Sequence, residues 1–585
     1  MVAGTRIRTL SLIAVVALLP SIVFAFTLKL PFFCDDFSLL SKLSAGSYGS
    51  KGKQCNLFDL VDPETTRAYP HLFPWWTSGD AKLKFLRPAS SLSLTLDYHL
   101  WGNNPLGYHL TNILIHCLCC VVLFLIGRLL FEKNSDALVG TLIFTSNPAI
   151  TFVVAWISDR VSLLALLCSL LGLYAHIRSR REGRFLWEWV AWLGFVLAFL
   201  SRESGSTALI SYLLYDLLVW KKRYPERWPG IAGVGPFYAA CCIPLGFFFV
   251  YYVISGYGIV GYQSVLDKNL PFLGLPIHLF KNVVFYLTSL LFLVPVSHLA
   301  DVCRAGSVVL FVVVPAALLA AVVALMCSPR ITRTMRERQL YLFLISWMAT
   351  NMLPVLAVFG ESRYVYAAAG PFGLCMGRYL HDLRRSAQLK RYSRSLYCSL
   401  VAFFVVLPLT GIVLKRSSFQ KVFHFQTSLI QETATHLGTF KPPVNAFFVN
   451  MPSAFIGLQE GFDFYLGKGT VHAFFLTIAK DPPKLSYLGE RSLLIRSESG
   501  PFLESHLERL FMTEPLAQVG LSRSNGFFTA TIEDVEDRHI YAIRFDFATP
   551  LSDESMRFFC LKGGHVVPIV FHQEFREHQV PTPCP

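Results

Sequence analysis

The chain has 585 residues, 53% of them hydrophobic and only 15% charged, with a mean hydropathy of +0.48. A soluble domain carries about a quarter of its residues charged, so this composition excludes an ordinary soluble protein. The net charge of +14 would suit nucleic acid, but the basic residues sit in short loops between apolar runs, the positive-inside pattern of a multispanning membrane protein, and nucleic-acid binding is set aside.

Residues 9–28 form the first apolar run, after Arg6 and Arg8. It is long for a signal peptide and no small-x-small cleavage site follows. It is read as an uncleaved first span over 1–28, with the N-terminus in the cytoplasm. Residues 29–106 read as a long extracytoplasmic loop carrying an acidic motif, Phe33-Cys34-Asp35-Asp36-Phe37, and a short amphipathic helix that begins at Arg87-Pro88. Further apolar runs follow near 107–130, 137–157, 161–177, 186–201, 205–220, 232–255, 276–297, 306–327, 340–359, 363–380 and 397–414. Each is long enough, or nearly so, to cross a bilayer core. Four basic loops interrupt them, at Arg178–Arg184, Lys221–Arg227, Arg330–Arg338 and Arg384–Arg394. All four stay cytoplasmic only if one run between 256 and 327 does not cross or a short extra crossing is present. The Pro/Gly-broken stretch 276–297 is the candidate, which leaves about eleven spans. From 415 to 585 no membrane-length run remains. Segments 445–451, 472–479, 526–532 and 540–547 cluster β-formers between Gly, Pro, Asn and Asp. The expected fold is therefore mainly α, a polytopic transmembrane helical bundle of about 11–12 helices over 1–28 and 107–414, with a C-terminal β-rich soluble domain over 415–585.

Of the 14 cysteines, Cys117, Cys119, Cys120, Cys241 and Cys242 lie in apolar runs and read as small core residues. Cys34, Cys55, Cys560 and Cys584 lie in polar segments, where an oxidising compartment would allow disulfides, though spacing does not pair them.

Charge against a membrane is costly and marks function by default. On this topology Asp35 and Asp36, Asp159 and Arg160, Arg202 and Glu203, and Glu361 with Arg363 all fall at outer helix ends. Asp35 and Asp36 are adjacent and point in different directions, so one faces a substrate while the other binds backbone or a cation. A carboxylate there suits general-base work. Asp159-Arg160 reads equally as a self-satisfied pair or as an arginine gripping a phosphate; Arg202-Glu203 and Glu361-Ser362-Arg363-Tyr364 allow the same two readings. His109, Asn112 and His116 share one helix face. The two histidines lie about 10 Å apart along the axis, too far for one metal, and interhelical hydrogen bonding is the favoured use.

Taken in order, these positions resemble the GT-C superfamily of membrane glycosyltransferases, most closely the protein O-mannosyltransferase-like branch. The run RPASSLSLTLDYHLWGNNPLGYHLTNILIH, residues 87–116, is similar nearly position for position to that branch's RP-x-x-x-x-S and W/HG-x-NP-x-GYH-x-x-N-x-x-x-H stretch. CDDF (34–37), AWISDRVSLLALL (155–167), SRESG (201–205) and ESRYVYAAAG (361–370) are weaker matches to its further motifs. The resemblance implies a polyprenyl- or dolichyl-phosphate sugar donor and transfer with inversion. It implies Asp35 as catalytic base with Asp36 its partner, and Asp159 as a second acidic residue of the site. Arg87, Arg160 and Arg363 become carrier-phosphate ligands, and His109, Glu203, Glu361 and Tyr364 further substrate-binding candidates. A divalent cation is an open cofactor question. A protein, lipid or glycan would be the acceptor, because a β-rich tail stands where the transmembrane-and-TPR members carry a TPR array. A bacterial inner membrane with an outward-facing site is the expected location, the endoplasmic reticulum the alternative. A transporter or flippase of lipid-linked sugars, or a non-catalytic scaffold, is the rival class; the former would place charge near the bilayer midplane or show inverted repeats.

Overall fold

Apolar runs become helices because a bilayer offers no partner for an unpaired backbone group. The computed structural model describes residues 2–44, 56–131, 133–260, 274–291, 335–356, 360–385, 393–438, 442–451, 456–479 and 481–571. Among them, six helices are long and apolar enough to cross a membrane, or seven if the bent pair Asn134–Ser146 and Pro148–Ala155, which turns by 53°, counts as one. The break in that pair falls at Asn147-Pro148, where proline cannot continue the hydrogen-bond ladder and Asn147 caps the next turn through the Ala149 amide. The other expected runs are also helical, as Phe185–Ser201, Thr207–Tyr215, Gly274–Leu291 and Tyr366–Arg385. The run 306–327 lies outside the described residues.

Chain contacts divide the protein into two units. The helical unit comprises Met1–Leu30, Leu86–Tyr252 and Pro271–Phe419. The second comprises Pro31–Phe85, Val253–Leu270 and Gln420–Pro585. The expected first loop is therefore split: 31–85 packs with the C-terminal residues, and 86–106 with the helices. The C-terminal boundary between the units falls at Phe419/Gln420, within one helix. Helix continues through Leu407–Leu437, well past the expected end at 414, because hydropathy registers contact with lipid whereas helicity needs only the backbone ladder.

In the helical unit small residues bring backbones together. Gly373 and Gly377, one turn apart on Tyr366–Arg385, lie against Asn134–Ser146. A Cβ on Gly373 would stand 2.3 Å from the Gly140 carbonyl oxygen, and one on Gly377 2.5 Å from that of Asp136. This is the small-xxx-small contact by which membrane helices associate without a hydrophobic drive. The helix Pro88–Trp101 shows inverted polarity. Ser90, Ser91 and Asp97 are buried while Leu92, Leu96 and Leu100 are exposed, as a surface facing hydrocarbon requires.

Among the described residues, the second unit has twelve strands in three sheets, nine of them in the C-terminal residues. Strands β1 (Asp59–Val61), β2 (Lys82–Lys84) and β3 (Gly258–Val260) form a small sheet in order β1-β2-β3. The C-terminal strands are β4 (Val444–Phe448), β5 (Val471–Phe475), β6 (Lys484–Gly489), β7 (Ser492–Arg496), β8 (Ser522–Ser524), β9 (Phe528–Glu536), β10 (His539–Phe547), β11 (Met556–Lys562) and β12 (His565–Ile569). They make an antiparallel sheet β6-β7-β10-β9-β8 and a mixed sheet β12-β11-β4-β5. The four segments read as strands correspond to β4, β5, β9 and β10. Strand β4 runs parallel to both β5 and β11, and the β4–β5 crossover contains the helix Leu458–Leu466, the connection that parallel pairing requires. In-register pairing stacks like on like. Phe447 lies 5.0 Å from Phe474 and 4.9 Å from Phe558, ring to ring, and Phe448 stacks on Phe475 and Phe559. Neighbouring residues of a strand face opposite ways, so the two aromatic rows serve opposite faces of β4.

Cys560 is disulfide-bonded. Cys34, expected as a disulfide candidate, is buried and is not disulfide-bonded.

Candidate active site

The 87–116 run folds as two helices joined by a turn, and each motif residue has a local reason. Pro88 and Pro105 occupy first-turn positions of Pro88–Trp101 and Pro105–Leu130, where the missing amide costs nothing. Asn104 caps the second helix through the Leu106 amide at 3.1 Å. Gly102 adopts φ +55°, a conformation that favours glycine, and a Cβ on Gly107 would stand 2.1 Å from the Trp101 indole. The Tyr108 hydroxyl donates to the Gly102 carbonyl at 2.8 Å.

This hairpin encloses Arg160. Its side chain is fully buried and pairs with Asp97 at 2.6 Å. Its Nε donates to Asn112 Oδ1 at 2.8 Å, Nη2 to the Tyr108 carbonyl at 2.9 Å, and Nη1 lies 3.3 Å from the carbonyl and hydroxyl oxygens of Ser93. A guanidinium has five donors, and these contacts engage all three nitrogens. Arg160, expected as a carrier-phosphate ligand, lies buried in the scaffold with all three nitrogens bonded to protein groups. His109, expected as a substrate-binding candidate, belongs to the same buried scaffold. It is fully buried and its Nε2 lies 3.1 Å from the Leu30 carbonyl. His116 contacts the Tyr366 hydroxyl at 2.9 Å, and Asn112 Nδ2 donates to the Trp156 carbonyl at 3.2 Å. His116 thus bonds across two helices, while His109 and Asn112 bond main-chain carbonyls at the C-caps Leu30 and Trp156.

Beside that scaffold, helix termini bring a second set of charges to one cleft. Arg202 caps the end of Phe185–Ser201, Asp159 precedes Arg160–Glu182, and Arg363 lies in the 3-10 turn Ser362–Val365 before Tyr366. Ser162, Arg202, Thr207, Asn351, Arg363 and Tyr364 line the cleft. Asp159 is nearly buried. One of its oxygens accepts from Ser162 Oγ at 2.6 Å. Arg202 Nη1 stands 3.9 Å from the same oxygen and Arg363 Nη1 3.9 Å from the other. That separation is too long for a hydrogen bond but close enough for Coulomb attraction. Arg363 Nε bonds Glu361, and Arg202 Nη1 bonds Ser162 Oγ. The two guanidiniums lie over the Tyr364 ring at 5.5 and 5.2 Å, and Arg363 also over Trp156 at 4.6 Å. Two cations are thus poised at a cleft, tethered by one carboxylate without saturating it. Such a setting accepts a phosphate oxygen with little rearrangement. Arg87 and Glu203 form a separate bidentate pair, Nη2 to Oε2 at 2.9 Å and Nε to both oxygens at 3.2 and 3.3 Å. The sequence left Arg202 open between a self-satisfied pair and a phosphate ligand, and did not single out Asp97 or Ser162. The first was visible as an outer-end charge. The other two look in sequence like ordinary polar residues of helices.

The acidic motif belongs to the second unit and is described there. Asp35 and Asp36 open the helix Asp35–Leu43. Asp36 is buried and its Oδ2 accepts from the Phe33 amide at 3.0 Å; Asp35 is partly exposed. One turn on, Ser38 donates to Glu460 at 2.9 Å, and burial pushes the Glu460 carboxyl above its ordinary value. Among the described residues no group of three or more His, Cys, Asp or Glu side chains is arranged to hold a metal ion.

Residues 88–247 match the family model described as dolichyl-phosphate-mannose-protein mannosyltransferase. The chain is similar to protein O-mannosyl-transferase Tmtc1 of Drosophila melanogaster, 33% identical over 135 residues, which are 23% of this chain and 15% of the relative. It is also similar to protein O-mannosyl-transferase tmtc2 of Xenopus laevis, 33% identical over 144 residues, 24% of this chain and 17% of the relative. The match therefore spans about a sixth of the length of these curated relatives. Among solved structures, ArnT from Cupriavidus metallidurans bound to undecaprenyl phosphate superposes with a TM-score of 0.44 and 12% identity, over 80% of this chain and 85% of that one. The resemblance to the protein O-mannosyltransferase-like branch, read first from 87–116, thus recurs in both family and relatives.

Proposed function

We propose that this polytopic membrane protein is a glycosyltransferase that moves mannose from a dolichyl- or polyprenyl-phosphate carrier to a hydroxyl of an extracytoplasmic acceptor. The observation that carries the reading is the cleft where Arg202 and Arg363 flank Asp159, Asp159 and Arg202 lying within the segment similar to mannosyltransferases. The phosphodiester of the donor docks against the two guanidiniums. The acceptor oxygen attacks the anomeric carbon with inversion, its proton passes to Asp35, and the bond from that carbon to the phosphate oxygen breaks with the electron pair leaving on the carrier phosphate. Charge grows on that phosphate as the bond lengthens, so fixed cations stabilise the transition state more than the bound donor. A positioned base adds about 10²–10⁴-fold. Asp36, spent on the Phe33 amide, orients the turn. The Cys560 disulfide supports an oxidising compartment for the second unit, which suits an endoplasmic reticulum lumen or a bacterial periplasm alike.

The test is purified protein in liposomes with radiolabelled dolichyl-phosphate mannose and a panel of proteins, lipids and glycans. Covalent transfer that is lost in Asp35→Asn, with the variant folded, is expected. Wild-type transfer by Asp35→Asn removes Asp35 from the mechanism. The absence of transfer to any acceptor or of donor cleavage overturns the enzyme reading.

A further inference from the structure

Cys34, the residue before Asp35, has φ +50° and ψ −120°. A side chain rarely adopts positive φ, and where one does the surroundings must enforce it. Two groups distant in sequence do so. Gln426, fully buried on the helix Leu407–Leu437, accepts the Cys34 amide on Oε1 at 2.7 Å and donates from Nε2 to the Ile456 carbonyl at 3.1 Å. On the other side Gly457, at φ +73°, lies so close that a Cβ there would stand 2.1 Å from the Cys34 carbonyl oxygen. The Cys34 carbonyl in turn accepts the Phe37 amide at 3.1 Å, which starts the helix that carries both aspartates. The turn is gripped at its amide by Gln426 and at its carbonyl by Gly457, and Ile456-Gly457 itself hangs on the same glutamine.

We infer that Gln426 is a positioning residue for the reaction: with Gly457 it forces the Cys34 turn and so sets the direction in which Asp35 leaves the helix start. The inference rests on the proposed role of Asp35 as base. Gln426 acts through the backbone conformation of Cys34, whose amide it accepts. A buried amide that only filled space would be indifferent to how strained that turn is.

That difference makes the test. In the liposome transfer assay, Gln426→Met is expected to lower kcat at least tenfold while the KM for dolichyl-phosphate mannose stays within twofold. Cys34→Gly alone is expected to stay near wild type, because glycine adopts the turn without strain. Placed on Gln426→Met, Cys34→Gly is expected to recover at least threefold of the lost kcat, since the turn then needs less enforcement. Gly457→Ala reaches the same turn from the opposite side and is expected to lower kcat with donor KM unchanged; it decides the matter if Gln426→Met does not fold. Wild-type kcat in either variant, or a loss that Cys34→Gly leaves untouched, overturns the inference while Asp35→Asn remains inactive. An active Asp35→Asn instead removes the reading on which it rests.

Discussion

Replacing Asp97 by alanine strips the fully buried Arg160 of its counter-ion. The lost charge-assisted bond is worth about 1.5–3 kcal/mol. An uncompensated buried cation raises the cost of breaking such a pair to about 3–5 kcal/mol. Arg160 keeps Asn112, Ser93 and Tyr108 as partners, so the lower half of that range applies, about 3–4 kcal/mol. In detergent, fluorescence-detected size-exclusion after heating should show the melting midpoint falling by about 5–10 °C, given that each kcal/mol moves a domain of this size class by a few degrees. Arg160→Met should cost a similar amount, because it strands Asp97. The double variant Asp97→Leu with Arg160→Met replaces the pair by apolar volume and should recover most of the loss, as buried pairs replaced together often do. The same double variant separates structure from chemistry. If Arg160 only seats the hairpin, the double variant regains transfer along with stability. Costs that simply add in the double variant, or a stable double variant without transfer, would refute the assignment.

Arg202→Met and Arg363→Met should each weaken use of the phosphate-linked donor by about 10–100-fold in kcat/KM, the worth of one charge-assisted bond, read with radiolabelled donor; an unchanged value removes the residue from the cleft's work. Gly377→Val should abolish monodisperse protein, since its Cβ would stand 2.5 Å from a backbone oxygen, whereas Gly246→Val, with nothing within 4 Å, should be silent; size-exclusion profiles compare them. Burial pushes the Glu508 carboxyl from its ordinary 4.5 to about 7. The folded state then holds a proton that the unfolded chain releases, so this contribution is complete below about pH 4.5 and is lost as pH rises toward 7, about 3 kcal/mol at most. Glu508→Gln should flatten that decline between pH 5 and 8, measured by thermal melts, and an identical slope in both proteins would refute it.

The helices were legible because lipid and backbone impose the same demand along twenty consecutive residues, and the C-terminal strands because β-formers cluster between turn residues. The acidic motif and the charges at helix ends stood out for the opposite reason, polarity where apolarity is the rule. What an arginine is enclosed by is not written beside it. Arg160 and Arg363 look alike in sequence, yet the first is engaged on all its nitrogens by residues 93–112, while the second stands at a cleft. Asp97 lies 63 residues before its partner, and Gln426 sits in a polar stretch that hydropathy marked only as the end of the membrane region. Such pairings are decided by packing between segments, which no local pattern encodes. His109 belongs to the 87–116 motif and Arg160 is enclosed by it, so both lie buried in the scaffold rather than at the cleft.

The turn at Cys34 also sets a schedule. Its amide waits for a glutamine 392 residues further on. At ribosomal speeds of about 5–20 residues per second that interval is about 20–80 s. Throughout it the Cys34 turn lacks the glutamine that later holds its amide. A chain stalled or truncated before residue 426 leaves the ribosome with its aspartates made but their support missing. Synthesis order alone makes the last quarter of the polypeptide the custodian of the first forty residues.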